Sequence, residues 1–227
     1  MSSPAHLQRR PALAHREPLA APSGAAAMTE RPFEGKLILR GKPELIGEAA
    51  AGVLGEVLPA KVNATATGKR GTAQWLGPDE WLIVTAPGAE TALLADLSAA
   101  LSAKHSQVVD VSDYYTTVVL SGARARDMLM KVTTIDFHTR AFKPGMGVTT
   151  NFARTVAWAR QTGDAAFDII VRISMADYLW CLLAEAGHEW GLPLQTPKGG
   201  DVKLHLPHFE SDATDNATAI GSDLEIA

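Results

Sequence analysis

The run Leu37-Ile38-Leu39-Arg40 reads as a strand, and Gly41 breaks it. Pro43 suits a first helical position, after which Leu45, Ile46, Ala49 and Val53 recur at helical spacing. Thr72–Leu76 and Glu80–Ala86 read as two strands joined across Gly77-Pro78-Asp79, residues that favour a tight reversal. Trp81, Leu82, Ile83 and Val84 are apolar on both faces of the second strand, which predicts a central position in a sheet. Leu93, Leu94, Leu97 and Leu101 mark one face of a helix over 90–101, and Val108–Val111 closes the series as a strand.

The same order then starts again. Thr117–Leu120 is a strand that Gly122 breaks, and Ala125, Met128, Leu129 and Val132 predict a helix. Arg154–Arg160 and Phe167–Ser174 form a second hairpin around Thr162-Gly163-Asp164. In its second strand Phe167, Ile169, Val171 and Ile173 alternate with Asp168, Arg172 and Ser174, which predicts a half-buried strand. Ser174 and Asp177 resemble a capping box at the start of a helix through Trp190, with Met175, Tyr178, Leu179, Leu182, Ala186 and Trp190 on its inner side. The Leu-x-Gly signature thus occurs at 39–41 and at 120–122. Each half reads strand–helix–strand–strand–helix–strand, the ferredoxin-like βαββαβ order, so the fold class is α+β with two halves, 33–113 and 114–192, in one pseudo-symmetric body. The second half lacks a clear sixth strand, and Leu192–Leu194 is the available candidate.

The ends differ from this body. Residues 1–32 are rich in Ala and Pro, carry four basic and two acidic residues, and predict a disordered segment. Arg9-Arg10 precede no apolar stretch, which argues against an export signal, and Met28 is a candidate start. Residues 193–227 hold six acidic and two basic residues and predict a disordered acidic tail. The whole chain of 227 residues has 46% apolar residues and a net charge of −4, so a sizeable core is available and no basic nucleic-acid footprint exists. A single cysteine excludes a disulfide framework and the cysteine-rich zinc sites. No apolar run has a membrane-spanning length, and a cytoplasmic protein is expected.

Candidate chemistry is sparse. Cys181 sits inside the last helix with neither an activating base nor a helix N-terminus beside it, and reads as structural. His205 and His208 form an H-x-x-H pair in the acidic tail, short of the ligands and rigid frame a metal needs. Asp136 and His138, in the polar loop 136–147, invite acid–base chemistry; the plainer reading is that Phe137 and Phe142 pin that loop. Trp75 and Trp81 bracket the first hairpin and read as core or interface aromatics. Arg124, Arg126 and Asp127 read as solvated, and Trp190 as an exposed interface aromatic. The glycines match neither phosphate-binding fingerprint. No catalytic, cofactor-binding or metal-binding residue is assigned.

The strings WLGPDEWLIV (75–84), VVDVSDYYTTVVLSGARARDML (108–129), DFHTRAFKPG (136–145) and DYLWCLL (177–183) resemble the gamma subunit family of heterotetrameric sarcosine oxidase, over most of 33–192. The resemblance implies a fold related to the folate-binding domain of the glycine-cleavage T-protein. It implies a complex that oxidatively demethylates sarcosine to glycine, forming peroxide and 5,10-methylenetetrahydrofolate. It places FAD, FMN, NAD and tetrahydrofolate on the alpha and beta subunits and zinc on delta, and leaves gamma as a supporting chain without catalytic residues. Two other readings stay open. One is the equivalent subunit of an N-methylglutamate dehydrogenase. The other is a stand-alone folate-binding or aminomethyl-transfer protein.

Overall fold

A computed structural model describes residues 9–195. Eleven strands and four α-helices lie in chain order: β1 (Leu19–Ala20), β2 (Ala27–Arg31), β3 (Gly35–Gly41), α1 (Pro43–Leu54), β4 (Thr65–Gly68), β5 (Gly71–Gly77), β6 (Glu80–Thr85), α2 (Glu90–Ala100), β7 (Ser106–Asp110), β8 (Tyr115–Ser121), α3 (Ala125–Val132), β9 (Gly147–Phe152), β10 (Thr155–Gly163), β11 (Ala166–Arg172) and α4 (Ala176–Gly187). They build two antiparallel sheets, ordered β4-β5-β6-β3-β7 and β1-β2-β8-β11-β10-β9.

Three apolar clusters show how the layers stack. Leu37, Leu39, Ile46, Leu54, Leu93 and Leu97 fill the space between the first sheet and α1/α2. Val118, Leu129, Phe167, Ile169, Leu179 and Leu183 do the same between the second sheet and α3/α4. Leu82, Val84 and Ile170, with Ile38, Tyr115 and Trp158 against them, join the two sheets face to face. Each sheet is therefore covered on both sides, by helices outside and by the other sheet inside. This explains why the central strand β6 buries four consecutive apolar residues, 81–84.

The two halves match strand for strand. In the first, β5-β6-β3-β7 is the ferredoxin-like order; in the second, the equivalent order is β10-β11-β8-β2. The strand that completes the second half thus comes from the N-terminal segment and not from Leu192–Leu194, which forms no strand. Gly41 and Gly122 mark equivalent strand exits, with φ of 155° and 112°. A Cβ on Gly122 would lie 2.5 Å from the Ala25 carbonyl oxygen, so glycine lets the N-terminal segment approach the start of α3. Arg124 N–H donates to that same carbonyl at 2.8 Å.

Residues 9–32 are consequently part of the body, contrary to the composition-based expectation of a disordered segment. Leu13, Leu19, Ala21, Ala26 and Met28 are all buried. Met28, the candidate start, pairs with Leu120 in the middle of the second sheet. Small alanines suffice here because they pack against a face that the second half already presents, which a scan for large periodic residues passes over.

Helix α4 also departs from its predicted form. A short 3₁₀ turn over Ile173–Met175 precedes it, and no side chain caps it. Asp177 turns away to receive Arg16, whose Nε donates at 2.7 Å, and lies 2.7 Å from His15 Nε2. The Arg16 hydrogen bond leads the influences that hold the Asp177 carboxyl below its usual range. The inner face also carries Trp180 and Leu183, both buried, while Leu182 packs against the same cluster partly buried. Among the described residues no helix is long and apolar enough to cross a membrane.

A chain shortened to begin at Met28 loses the burial of Leu13 and Leu19, worth about 1.5–3 kcal/mol each, together with the Arg16–Asp177 pair. We expect its melting temperature, read by calorimetry, to fall by about 10 °C. An unchanged melting temperature would contradict the placement of this segment.

Candidate functional site

A buried polar constellation of Arg31, Glu34, Lys36, Arg160 and Asp168 lies between the two sheets. It begins where the chain leaves β2 and crosses to β3. Arg31 ends one strand, Pro32 and Phe33 reverse the backbone (Phe33 has φ 63°), and Glu34 and Lys36 follow on the other sheet. Gly35 is needed between them, since a Cβ there would come within 2.5 Å of Thr85 Cγ2 and 2.8 Å of Glu90 Cβ.

Across the second hairpin, Arg160 and Asp168 are direct cross-strand neighbours. The Asp168 carboxylate is fully buried and accepts from two guanidiniums. Arg31 donates from Nη2 to Oδ1 at 2.6 Å and from Nη1 to Oδ2 at 3.0 Å, a bidentate fork. Arg160 donates from Nε and Nη2 to Oδ2 at 3.0 and 2.7 Å. Arg31 Nη1 also reaches Glu34 Oε1 at 3.0 Å, and Thr117 Oγ1 donates to Glu34 Oε2 at 2.6 Å. Lys36, also fully buried, donates from Nζ to the Glu34 carbonyl at 3.3 Å and stands 3.8 Å from Glu34 Oε2.

Burial alone would push the Asp168 carboxyl up, but the two guanidiniums outweigh it and hold the group below its usual range. Lys36 shows the reverse balance. Burial dominates, Glu34 only partly compensates, and its pKa is lowered from 10.5 to about 8.

An open cleft of about 420 Å³ adjoins this cluster. Glu34 and Arg160 reach it from the centre, Lys69 and Arg70 from the β4–β5 turn, Thr85 from the end of β6 and Ala89 from the start of α2. Thr85 Oγ1 donates to the Arg70 carbonyl at 2.7 Å and fixes that turn.

The residues singled out from sequence have mostly structural partners. Cys181 is exposed, and its Sγ accepts from Arg16 Nη2 at 3.1 Å. Partial burial nevertheless pushes the thiol up, so the guanidinium does not make it a poised thiolate. Asp136 accepts from the His138 backbone N–H at 2.9 Å, and His138 Nδ1 from the Arg140 N–H at 3.3 Å, so both side chains shape a turn. Phe137 and Phe142 are buried against Phe167, with ring centroids 5.7 and 6.5 Å from it. Trp81 is buried and donates Nε1 to the Pro59 carbonyl at 2.8 Å, with Trp75 paired across the hairpin.

Three expectations need correction. Arg126 is not solvated: it holds the Phe142 carbonyl at 3.0 Å and the Asp164 carbonyl at 3.1 Å, and its guanidinium lies 5.2 Å from the Phe167 ring centre. Trp190 is half-buried between the cations of Arg124 and Lys131, whose side chains supply cation–π contacts. Asp168 does not face water, because the first sheet covers that side of β11. Its neighbour Ile170, apolar on the supposedly polar face, was the sequence signal for this. His205 and His208 lie outside the described residues. Among the described residues no group of three His, Cys, Asp or Glu is placed to hold a metal ion.

Comparison with known proteins adds an independent line. Residues 43–189 match the family model described as sarcosine oxidase, gamma subunit family. The chain is 32% identical over 191 residues to a sarcosine oxidase subunit gamma of Arthrobacter sp, covering 82% of this chain and 93% of that one. It superposes with a TM-score of 0.74 and 29% identity on a chain of heterotetrameric sarcosine oxidase from Corynebacterium sp. U-96, covering 83% of this chain and 99% of that one. The fold alone is shared with the glycine cleavage aminomethyltransferase T of Bartonella henselae, at a TM-score of 0.54 and 14% identity, over 70% of this chain and 45% of that one.

Two outcomes are expected from the buried cluster. Replacing Asp168 by Asn leaves two guanidiniums without their carboxylate and should lower the unfolding free energy in urea by about 3–5 kcal/mol. The second concerns pH. The folded chain releases the Lys36 proton near pH 8, whereas an unfolded lysine keeps it to about 10.5. Between those values the unfolded state binds more protons, so stability rises with pH, by up to about 3 kcal/mol, and the penalty is complete below pH 8. Lys36→Met should remove this rise when urea titrations at pH 7.5 and 10.5 are compared with those of the parent chain.

Proposed function

The chain belongs to the sarcosine oxidase gamma subunit family, and we propose that it serves as a non-catalytic supporting subunit of a heterotetrameric sarcosine oxidase. The complex would demethylate sarcosine to glycine in the cytoplasm, with peroxide and 5,10-methylenetetrahydrofolate as further products. Its partners would be alpha, beta and delta subunits, with FAD, FMN, NAD and tetrahydrofolate on the first two and zinc on the last. The observation that carries this reading is that many titratable groups among the described residues serve the chain's own architecture. Asp168 and Glu34 join strands, Asp177 anchors the N-terminal segment, and Asp136 and His138 hold a turn.

A supporting subunit also needs contact surface. Tyr114 and Ile173 are each 49% exposed, and the Arg172 guanidinium lies 5.7 Å from the Tyr114 ring centre. Aromatic and arginine side chains of this kind are enriched at protein interfaces.

Co-expression with its partner subunits should yield a purified assembly that oxidises sarcosine, while the chain alone binds no flavin by absorbance and releases no peroxide. Peroxide formed from sarcosine by the chain alone would overturn the proposal. So would an assembly that forms without it and keeps full activity and thermal stability.

A further inference from the structure

The cleft beside the buried cluster has a charge that its surroundings leave incompletely matched. Of its four charged lining residues, Lys69, Arg70 and Arg160 are cations and only Glu34 is an anion. Glu34 is already engaged, by Arg31, Thr117 and Lys36. Arg70 has an exposed partner in Asp96 at 2.7 Å, and Lys69 has no carboxylate partner among the described residues. Arg160 is held rigid because Nε and Nη2 are both committed to Asp168, whereas its Nη1 finds no hydrogen-bond partner among the described residues although the side chain is nine-tenths buried. A buried donor left unmatched costs free energy that a ligand oxygen can recover. Outside the lining, Asp168 and Asp96 are committed to Arg160 and Arg70, and Glu90, packed behind Gly35, has Oε2 likewise unpartnered.

The shape is equally suggestive. The volume, about 420 Å³, suits a small molecule and not a chain segment. Ala89 lies at the wall, and no side chain caps the helix that begins there. The amides of that first turn add a favourable end of the helix dipole to the three cations, shared with Glu90 in the same turn. Gly71, with φ 151°, holds the Lys69–Arg70 turn against β6, since a Cβ there would lie 2.5 Å from the Val84 carbonyl oxygen.

We propose that this cleft is a binding site for a small free oxyanion, a carboxylate or phosphate. It would be gripped by Lys69 and Arg70 at the rim, with the immobilised Arg160 guanidinium at the inner wall. The pairing chemistry is that of charge-assisted hydrogen bonds, in which a preset guanidinium loses little freedom on binding.

The test is calorimetric titration of the full chain with inorganic phosphate and with acetate, at constant ionic strength in chloride. Saturable binding of at least one of the two is expected. Lys69→Gln, on an exposed turn, should weaken that binding about tenfold, the effect of losing one charged partner, and leave the ligand-free melting temperature unchanged. Arg70→Gln provides a second variant at the rim, with the same expectation. Heats no different from chloride overturn the proposal. So does binding that both rim variants leave intact, which would put the anion elsewhere. The proposal also requires a free ion to enter the assembled complex. If phosphate binds the chain alone but not the assembly, the cleft is filled by a carboxylate of another subunit, and the free-ligand assignment fails.

Discussion

The carboxylate of Asp168 is the constraint on which the rest of the body depends. It accepts from β2 through Arg31 and from β10 through Arg160, while its own backbone belongs to β11. Through Arg31 the connection continues to Glu34, and through Glu34 to Thr117 on β8 and Lys36 on β3. Charges taken out of water are costly unless each finds partners of good geometry. Here that requirement acts as a registration device: strands from both sheets must arrive in the right order for the cluster to close. An apolar core would tolerate slippage far better.

The cluster also explains why the N-terminal segment cannot be an appendage. Two of its arginines reach the second half, Arg31 to Asp168 and Arg16 to Asp177, and its alanines seat against the face beside β8. In the first half the closing strand β7 follows α2 directly. In the second half no strand follows α4 among the described residues, and the equivalent place is taken by β2 from the start of the described chain. The duplication is therefore interlocked: the second half is incomplete without β2, which lies on the far side of the first half in sequence. Closing such long-range contacts carries a larger loop entropy than local hairpins, and the ion pairs and buried leucines supply the compensation.

Sequence patterning disclosed what depends on local periodicity. Both hairpins, the helices and the repeat of Leu-x-Gly followed from apolar spacing, and the βαββαβ order followed from them. It failed where burial comes from a distant layer. Nothing within 167–174 states that a second sheet will cover Asp168, although Ile170 on the same face is the trace of it. Likewise Ala27, Thr29 and Glu30 have no periodicity that declares a strand; β8 creates one by offering its edge. Asp177 read as a cap because its spacing to Ser174 was right, yet Arg16, 161 positions earlier, competes more strongly for the carboxylate. Arg126 reads as solvated in sequence because an arginine's partners are carbonyls and carboxylates far away in the chain, here the Phe142 and Asp164 carbonyls.

This division between what is local and what is distant bears on the kind of protein the chain is. In an enzyme with its own site, polar side chains strained or unpaired at a cavity are the usual mark of chemistry. Most polar groups of this body are instead matched internally: Asp136 and His138 to their own turn, Cys181 to Arg16, Trp81 to a carbonyl. The fold is shared with an aminomethyltransferase, and a layered scaffold is separable from the chemistry placed on it. The unmatched donor of Arg160 runs against that pattern. The residue lines the cleft while this nitrogen is buried, and a guanidinium fixed on one side and unmatched on the other is poorly explained by packing alone. The same closure that immobilises Arg160 on Asp168 fixes the guanidinium that lines the cleft, so one side chain joins the architecture to the proposed site.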